Sequence, residues 1–176
     1  SPLVAFLWGH LGWLVVKNRD THSLASYRKF APDILKDPFY MKLEKSYAWV
    51  WIYILHAVLF FAVGFGLGLA IDGSVAAGWQ FGASLLVWGV FVRTIAVWYI
   101  TWSVNSLTHL FGYQNYKTSD HSRNNWFVAI LTVGEGWHNN HHHDPASASN
   151  QHKWWELDVT YYQIRMLEWV GLATDV

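Results

Sequence analysis

The densest chemistry in the sequence is the run Gly134-Glu135-Gly136-Trp137-His138-Asn139-Asn140-His141-His142-His143-Asp144. On a helix turning about 100° per residue, His138, His141 and His142 share one face, because positions i, i+3 and i+4 lie above one another. His143 is turned roughly another 100° away. Three imidazoles on one face can each offer one ring nitrogen to a metal and keep the other for an orienting partner. Glu135, one turn earlier, is the candidate for that partner or for a further ligand. The competing description is a solvated loop that is rich in histidine. Imidazole ligation suits Fe, Zn, Cu or Ni and does not choose among them. The chain has ten His and no Cys, which leaves no room within it for Cys-ligated zinc, an iron–sulfur cluster or a disulfide.

A second histidine points to the same place. Thr101, Trp102, Asn105 and His109 fall within one sector at helical spacing. A helix starting near Trp79 would carry His109 about 45 Å along its axis, well past the ~30 Å thickness of a bilayer core. His109 would then stand on the side where the His138 segment lies. The remaining histidines read differently. His56 lies in an apolar run and is expected to hydrogen-bond between helices, and Arg93 to be structurally paired there. His121 and His152 read as surface residues.

The elements that must position these groups follow from composition. Hydrophobic residues make up 53% of the chain and charged residues 14%, against about 25% charged in a soluble domain. Twelve basic and twelve acidic residues balance, which argues against nucleic-acid binding. From Tyr47 to Ile71 there is no charged residue, a run longer than the ~20 residues a membrane-crossing helix needs. Trp49, Trp51 and Tyr53 mark its entrance in the manner of an interfacial aromatic belt. The short connection 72–78 leads to a second apolar stretch, 79–104, whose one charge is Arg93.

Seven of the twelve basic residues lie in 17–45 and none in the connection. The positive-inside rule therefore predicts both ends in the cytoplasm and the 72–78 loop outside. The expected fold is all-α and integral to the membrane: a helical hairpin, about 47–71 and 79–104, with a cytosolic helical cap. Residues 1–176 are expected to form one domain, with 1–46 cytosolic or interfacial, 47–104 in the membrane and 105–176 in the cap. Leu3–Val16 is apolar but too short to span. A final amphipathic helix is expected over Val159–Val170, with Asp158 as N-cap and Gly171 as its stop. The chain starts at Ser1 without an initiator Met, and is expected to be a piece of something longer.

Three segments together are specific: Asn105-Ser-Leu-Thr-His109-Leu-Phe-Gly112-Tyr113, then Ser122-Arg-Asn-Asn125, then Gly134-Glu-Gly-Trp-His138 with His141-His142. They resemble the later part of the stearoyl-CoA desaturase family of membrane fatty-acid desaturases, in a bacterial or cyanobacterial form. Leu7-Trp-Gly-His10-Leu-Gly-Trp13 resembles the stretch that follows the family's second histidine box. The resemblance covers Ser1 to Val176.

It implies a cytosolic site of two iron ions, with His138, His141 and His142 matching the third histidine box and His109 a further ligand. Asn105 matches a residue that approaches one metal through water. Thr101 and Trp102 match positions lining the acyl tunnel, and Lys17 one that meets the acyl carrier's phosphates. The implied reaction is O₂-dependent introduction of a cis double bond, at Δ9, into an acyl chain carried by CoA, carrier protein or lipid. Electrons would come from a separate donor such as ferredoxin or a b-type cytochrome, because the chain has no cluster motif or nucleotide fingerprint of its own. The first two histidine boxes and membrane helices are missing, so this chain alone is expected to be inactive. The competing readings are a membrane di-iron hydroxylase and a non-catalytic, truncated metal-binding membrane protein.

Overall fold

Helices form where the apolar runs are longest and stop where backbone chemistry stops them. The computed structural model describes residues 1–16, 23–174 and 176. Lys17 lies outside them. Among the described residues every regular element is helical, with no β-strand and two isolated bridges, Tyr113 to Asn124 and Asn124 to Trp137. The chain divides into two compact units, Lys17–Val97 and a second made of Ser1–Val16 with Trp98–Val176.

Within Lys17–Val97 come three short helices, which we number in chain order with those of the other unit: α3 (Leu24–Phe30), α4 (Pro32–Lys36) and α5 (Pro38–Lys45). Pro at the first position of α4 and α5 presets the backbone where its missing N–H costs nothing. Two long helices follow. α6 is Ala48–Asp72, and α7 (Val75–Leu86) continues through a π-helical segment, Val87–Val92, into α8 (Arg93–Leu107). Both runs are long and apolar enough to cross a membrane, and most of their side chains are exposed.

The connection between them is shorter than 72–78. Ser74 Oγ accepts the Ala77 N–H at 3.1 Å and starts α7 at Val75, and Gly73 ends α6 with φ 73°, a left-handed conformation that favours glycine. α6 and α7 approach closely because each shows glycines four apart. A Cβ on Gly64 would lie 2.6 Å from the Phe81 carbonyl oxygen, and one on Gly68 would collide with the Ala77 carbonyl. Further along, the Arg93 guanidinium lies 3.1 Å from His56 Nε2 and over the Phe60 ring, and Tyr53 and Thr94 hydroxyls meet at 3.2 Å.

The other unit opens with α1 (Pro2–Leu7), a π-helical turn Trp8–Gly12 and α2 (Trp13–Val15). Buried His10 bonds through Nδ1 to Ser106 Oγ on α8 at 2.9 Å. Its later helices are α9 (Trp126–Leu131), α10 (His138–His143) and α11 (Val159–Trp169). Asp158 caps α11 by accepting the Tyr161 N–H at 3.0 Å, and Gly171 follows it at φ 74°.

The core of this unit is unusually polar. Ser122, Asn124, Asn139, Asn140, Glu156 and Asp158 are all at most 1% exposed. Buried polar groups are tolerated only when hydrogen-bonded: Ser122, Asn124, Asn139, Asn140 and Glu156 bond among themselves, and Asp158 accepts the N–H groups of Asn150 and Tyr161.

Candidate metal centre

α10 is held by the chain on either side of it. Gly134 takes φ 132° against the Asp158 carboxylate, and a Cβ on Gly136 would strike the backbone of Ala129. The two glycines of the Gly-Glu-Gly segment thus bring α10 tight against α9. α10 starts at His138 itself, so His138, His141 and His142 share a face while Asn139 and Asn140 point the other way.

Facing α10 is His109. It is not part of α8: that helix ends at Leu107, and the Leu110 and Phe111 N–H groups close back on the Leu107 carbonyl. The ring of His109 meets those of His138 and His142 at 5.1 and 5.6 Å between centroids. One nitrogen from each of His109, His138 and His142 lies within 4.8 Å of the others. Two nitrogens each ~2.1 Å from one ion are at most about 4.2 Å apart, so small ring movements suffice to share a metal. His141 joins by ring contact, 6.0 Å from His138 and 5.6 Å from His142.

Among the described residues the carboxylate that pairs with a histidine of this cluster is Asp120. Asp120 serves two histidines at once. Its backbone carbonyl, which can only accept, takes a hydrogen bond from His109 Nδ1 at 3.0 Å, and its side chain pairs with His142 Nδ1. Both bonds leave Nε2 of each ring for a metal. Burial would raise the Asp120 pKa, but hydrogen bonds from the Ser122 backbone and hydroxyl and from Thr118, with the His142 charge, hold it well below the usual carboxylate range. Glu135 is exposed in the turn before α10.

His138 is 6% exposed. Its Nε2 is buried and has no hydrogen-bond partner among the described residues. Leaving such a nitrogen unmet costs free energy, and a metal would meet it. Burial first, then the neighbouring His142, His109 and His141, lower its pKa from 6.5 to about 3. Burial likewise lowers that of His142 against the pull of Asp120. Both rings are thus neutral near pH 7, the form that ligates. The residues present fit a metal ion.

The other predicted residues sit as follows. Asn105 and Thr101 are exposed on α8. Half-buried Trp102 is packed with Trp98, Tyr99 and His10. His143 lies flat on Tyr116, 3.7 Å between ring centroids. His152 is not a free surface residue, because its Nδ1 bonds the Tyr116 hydroxyl at 2.9 Å. Sequence reading missed Asp120, Asn124 and Glu156. The Asn124-Asn125 and Asn139-Asn140 pairs were a visible hint, since adjacent amides with no turn glycine call for partners.

The fatty acid desaturase family model matches residues 1–168, a family that uses iron. The chain is 42% identical over 171 residues to the sn-1 stearoyl-lipid 9-desaturase of Anabaena variabilis, covering 97% of this chain and 55% of the relative. It is 38% identical over 176 residues to the sn-2 palmitoyl-lipid 9-desaturase of Nostoc sp. (strain 36), covering 100% and 55%. It is 38% identical over 176 residues to the acyl-CoA 5-desaturase AL21 of Anemone leveillei, covering 100% and 49%. The chain spans about half the length of these relatives.

Proposed function

The chain belongs to the fatty acid desaturase family, and from that premise we propose that the protein is an O₂-dependent acyl desaturase of the membrane, acting at Δ9. The observation that carries this reading is the cluster of His109, His138 and His142 with its unmet, buried Nε2. In this reading His109, His138, His141 and His142 hold iron of a two-ion centre, and Asn105 approaches it through water. Thr101 and Trp102 line the acyl channel, and Lys17 meets the phosphates of the acyl carrier. Bound iron would supply the oxidising power, drawn from O₂ and two electrons of a separate donor such as ferredoxin or a b-type cytochrome, that unactivated methylenes require.

The protein's own groups do the rest. Asp120 holds two histidine rings with Nε2 forward, and apolar side chains around Trp102 present one bond of the acyl chain, so regiochemistry is a matter of position. α6 and the α7–α8 run form the membrane hairpin, and the units 1–46, 47–104 and 105–176 are surface segment, hairpin and cytosolic cap. The relatives act on stearoyl-lipid, palmitoyl-lipid and acyl-CoA substrates by their names. A lipid-linked saturated chain is the substrate we favour, because the 42% relative is an acyl-lipid enzyme.

The test is expression of the complete protein in a desaturase-deficient host, with gas chromatography–mass spectrometry of the lipids. A Δ9 cis-monoene that disappears with His138→Ala, together with the bound iron, is the expected result. An alcohol product, or no product with iron fully loaded, would overturn it.

A further inference from the structure

Glu156 is fully buried, 0% exposed, and among the described residues no ion pair neutralises it. A buried carboxylate is costly unless its oxygens are satisfied, and here they are saturated. Oε1 accepts from the Tyr113 hydroxyl at 2.6 Å, Asn115 Nδ2 at 2.7 Å and Asn124 Nδ2 at 3.2 Å. Oε2 accepts from Asn140 Nδ2 at 2.7 Å and from the backbone N–H groups of His152 and Lys153 at 3.1 and 2.9 Å. Six donors meet a group that offers about four lone-pair sites.

Two of these donors lead straight to the histidines. Asn140 lies in α10, between His138 and His141. Asn124, held by Glu156 on one side, uses its Oδ1 to accept the N–H groups of Asn139 and Asn140 at 2.9 and 3.2 Å. Those are first-turn N–H groups, which a helix cannot satisfy by itself. α10 needs this help. It has six residues, and its N-cap Trp137 makes no side-chain cap bond, whereas helices so short do not persist alone. The direction in which His138, His141 and His142 point is therefore set from the back of the helix.

We infer that Glu156 is a positioning residue for the metal centre: through Asn140 and Asn124 it fixes the rotation of α10, and with it the aim of the three histidines. The inference rests on the metal reading of the histidine cluster. Replacing Glu156 by Gln turns one acceptor oxygen into a donor amide facing other donors. Asn140 or Asn124 must then turn, and α10 turns with it.

Co²⁺ titration of the complete, detergent-solubilised protein tests this, because the ligand-field absorption bands of Co²⁺ report ligand geometry as well as affinity. Glu156→Gln should weaken Co²⁺ binding about 10- to 100-fold, as loss of an outer-shell partner does, and should shift the bands at saturation while helicity is unchanged. Tyr113→Phe removes one donor and leaves the charge in place, and should shift the bands the same way with a smaller loss of affinity. If Glu156→Gln does not fold, Tyr113→Phe decides the matter. Wild-type affinity and bands in the variants, or weaker binding with unshifted bands and lost helicity, would overturn the inference and leave the metal reading standing. Absence of Co²⁺ bands in the parent protein would overturn both.

Discussion

A single aspartate orients two rings of the candidate centre by two different atoms, and that difference can be read out. Asp120→Asn keeps the backbone carbonyl that His109 uses and loses the carboxylate that pairs with His142. It should weaken metal binding about 10- to 100-fold, measured by Co²⁺ titration, while Glu135→Gln should leave binding unchanged. Glu135 is the sequence's candidate partner or ligand from its place one turn before His138, whereas α10 begins at His138 itself. His138 and His142 stand out in the sequence by type and helical spacing and His109 through the resemblance, and these three lie together. Asp120 does not stand out, since its role comes from the turn that brings it to His109 and His142.

His138 makes a pH prediction. Its folded pKa is about 3 against an ordinary 6.5, so between those values the unfolded chain binds more protons than the folded one. Stability of the metal-free protein must then fall as pH falls through that window, by about 1.4 kcal/mol per unit from this residue. Asp120, also lowered, acts in the same direction but only below the ordinary carboxylate range. Thermal unfolding between pH 6.5 and 4.5 should therefore isolate the histidines, and His138→Gln should flatten the slope.

Among the elements, the pairing of α6 with α7 rests on small residues. A Cβ on Gly68 would meet the Ala77 carbonyl, whereas nothing lies within 4 Å of Gly66. Gly68→Val should cost about 1–3 kcal/mol by overpacking, and Gly66→Ala nearly nothing, in detergent unfolding of the two variants side by side. The glycine spacing was in plain view, but whether Gly64, Gly66 or Gly68 faces a neighbour depends on helix rotation, which the apolar run leaves open because it is apolar all round. Helix ends were legible where a cap marked them, as Asp158 does for α11. The apolar pattern places the second span from Trp79, four residues late, because a serine in a polar connection reads as loop; as N-cap, Ser74 starts α7 at Val75. Among the described residues Tyr47, His121 and Val133 are non-glycines with positive φ, and Val133, at φ 61°, is the β-branched one, whose side chain resists that left-handed conformation. Val133→Asn should stabilise the fold by about 1 kcal/mol, read as a higher unfolding midpoint.

For the whole molecule, the charge map is the argument. The run 17–45 carries seven basic residues, and Asp72 is the single charge around the Gly73–Ser74 connection. Basic residues near span ends are retained on the cytoplasmic side, so the proposed hairpin enters and leaves from there. The α7–α8 run has 33 residues, about 50 Å at 1.5 Å per residue, against a ~30 Å hydrocarbon core. In the proposed hairpin that surplus would carry the end of α8, and His109 just beyond it, out of the lipid on the cytoplasmic side. A metal centre there can exchange with soluble partners, which one at the membrane's middle cannot. These 176 residues hold no Cys, so single cysteines introduced in them report sidedness against a control without the substitution. Ala76→Cys, exposed in the first turn of α7, should react with a membrane-impermeant maleimide on intact cells. Ala146→Cys, exposed just after α10, should react only after permeabilisation. The reverse pattern would turn the protein over in the membrane, and reaction of both without permeabilisation would remove the hairpin altogether.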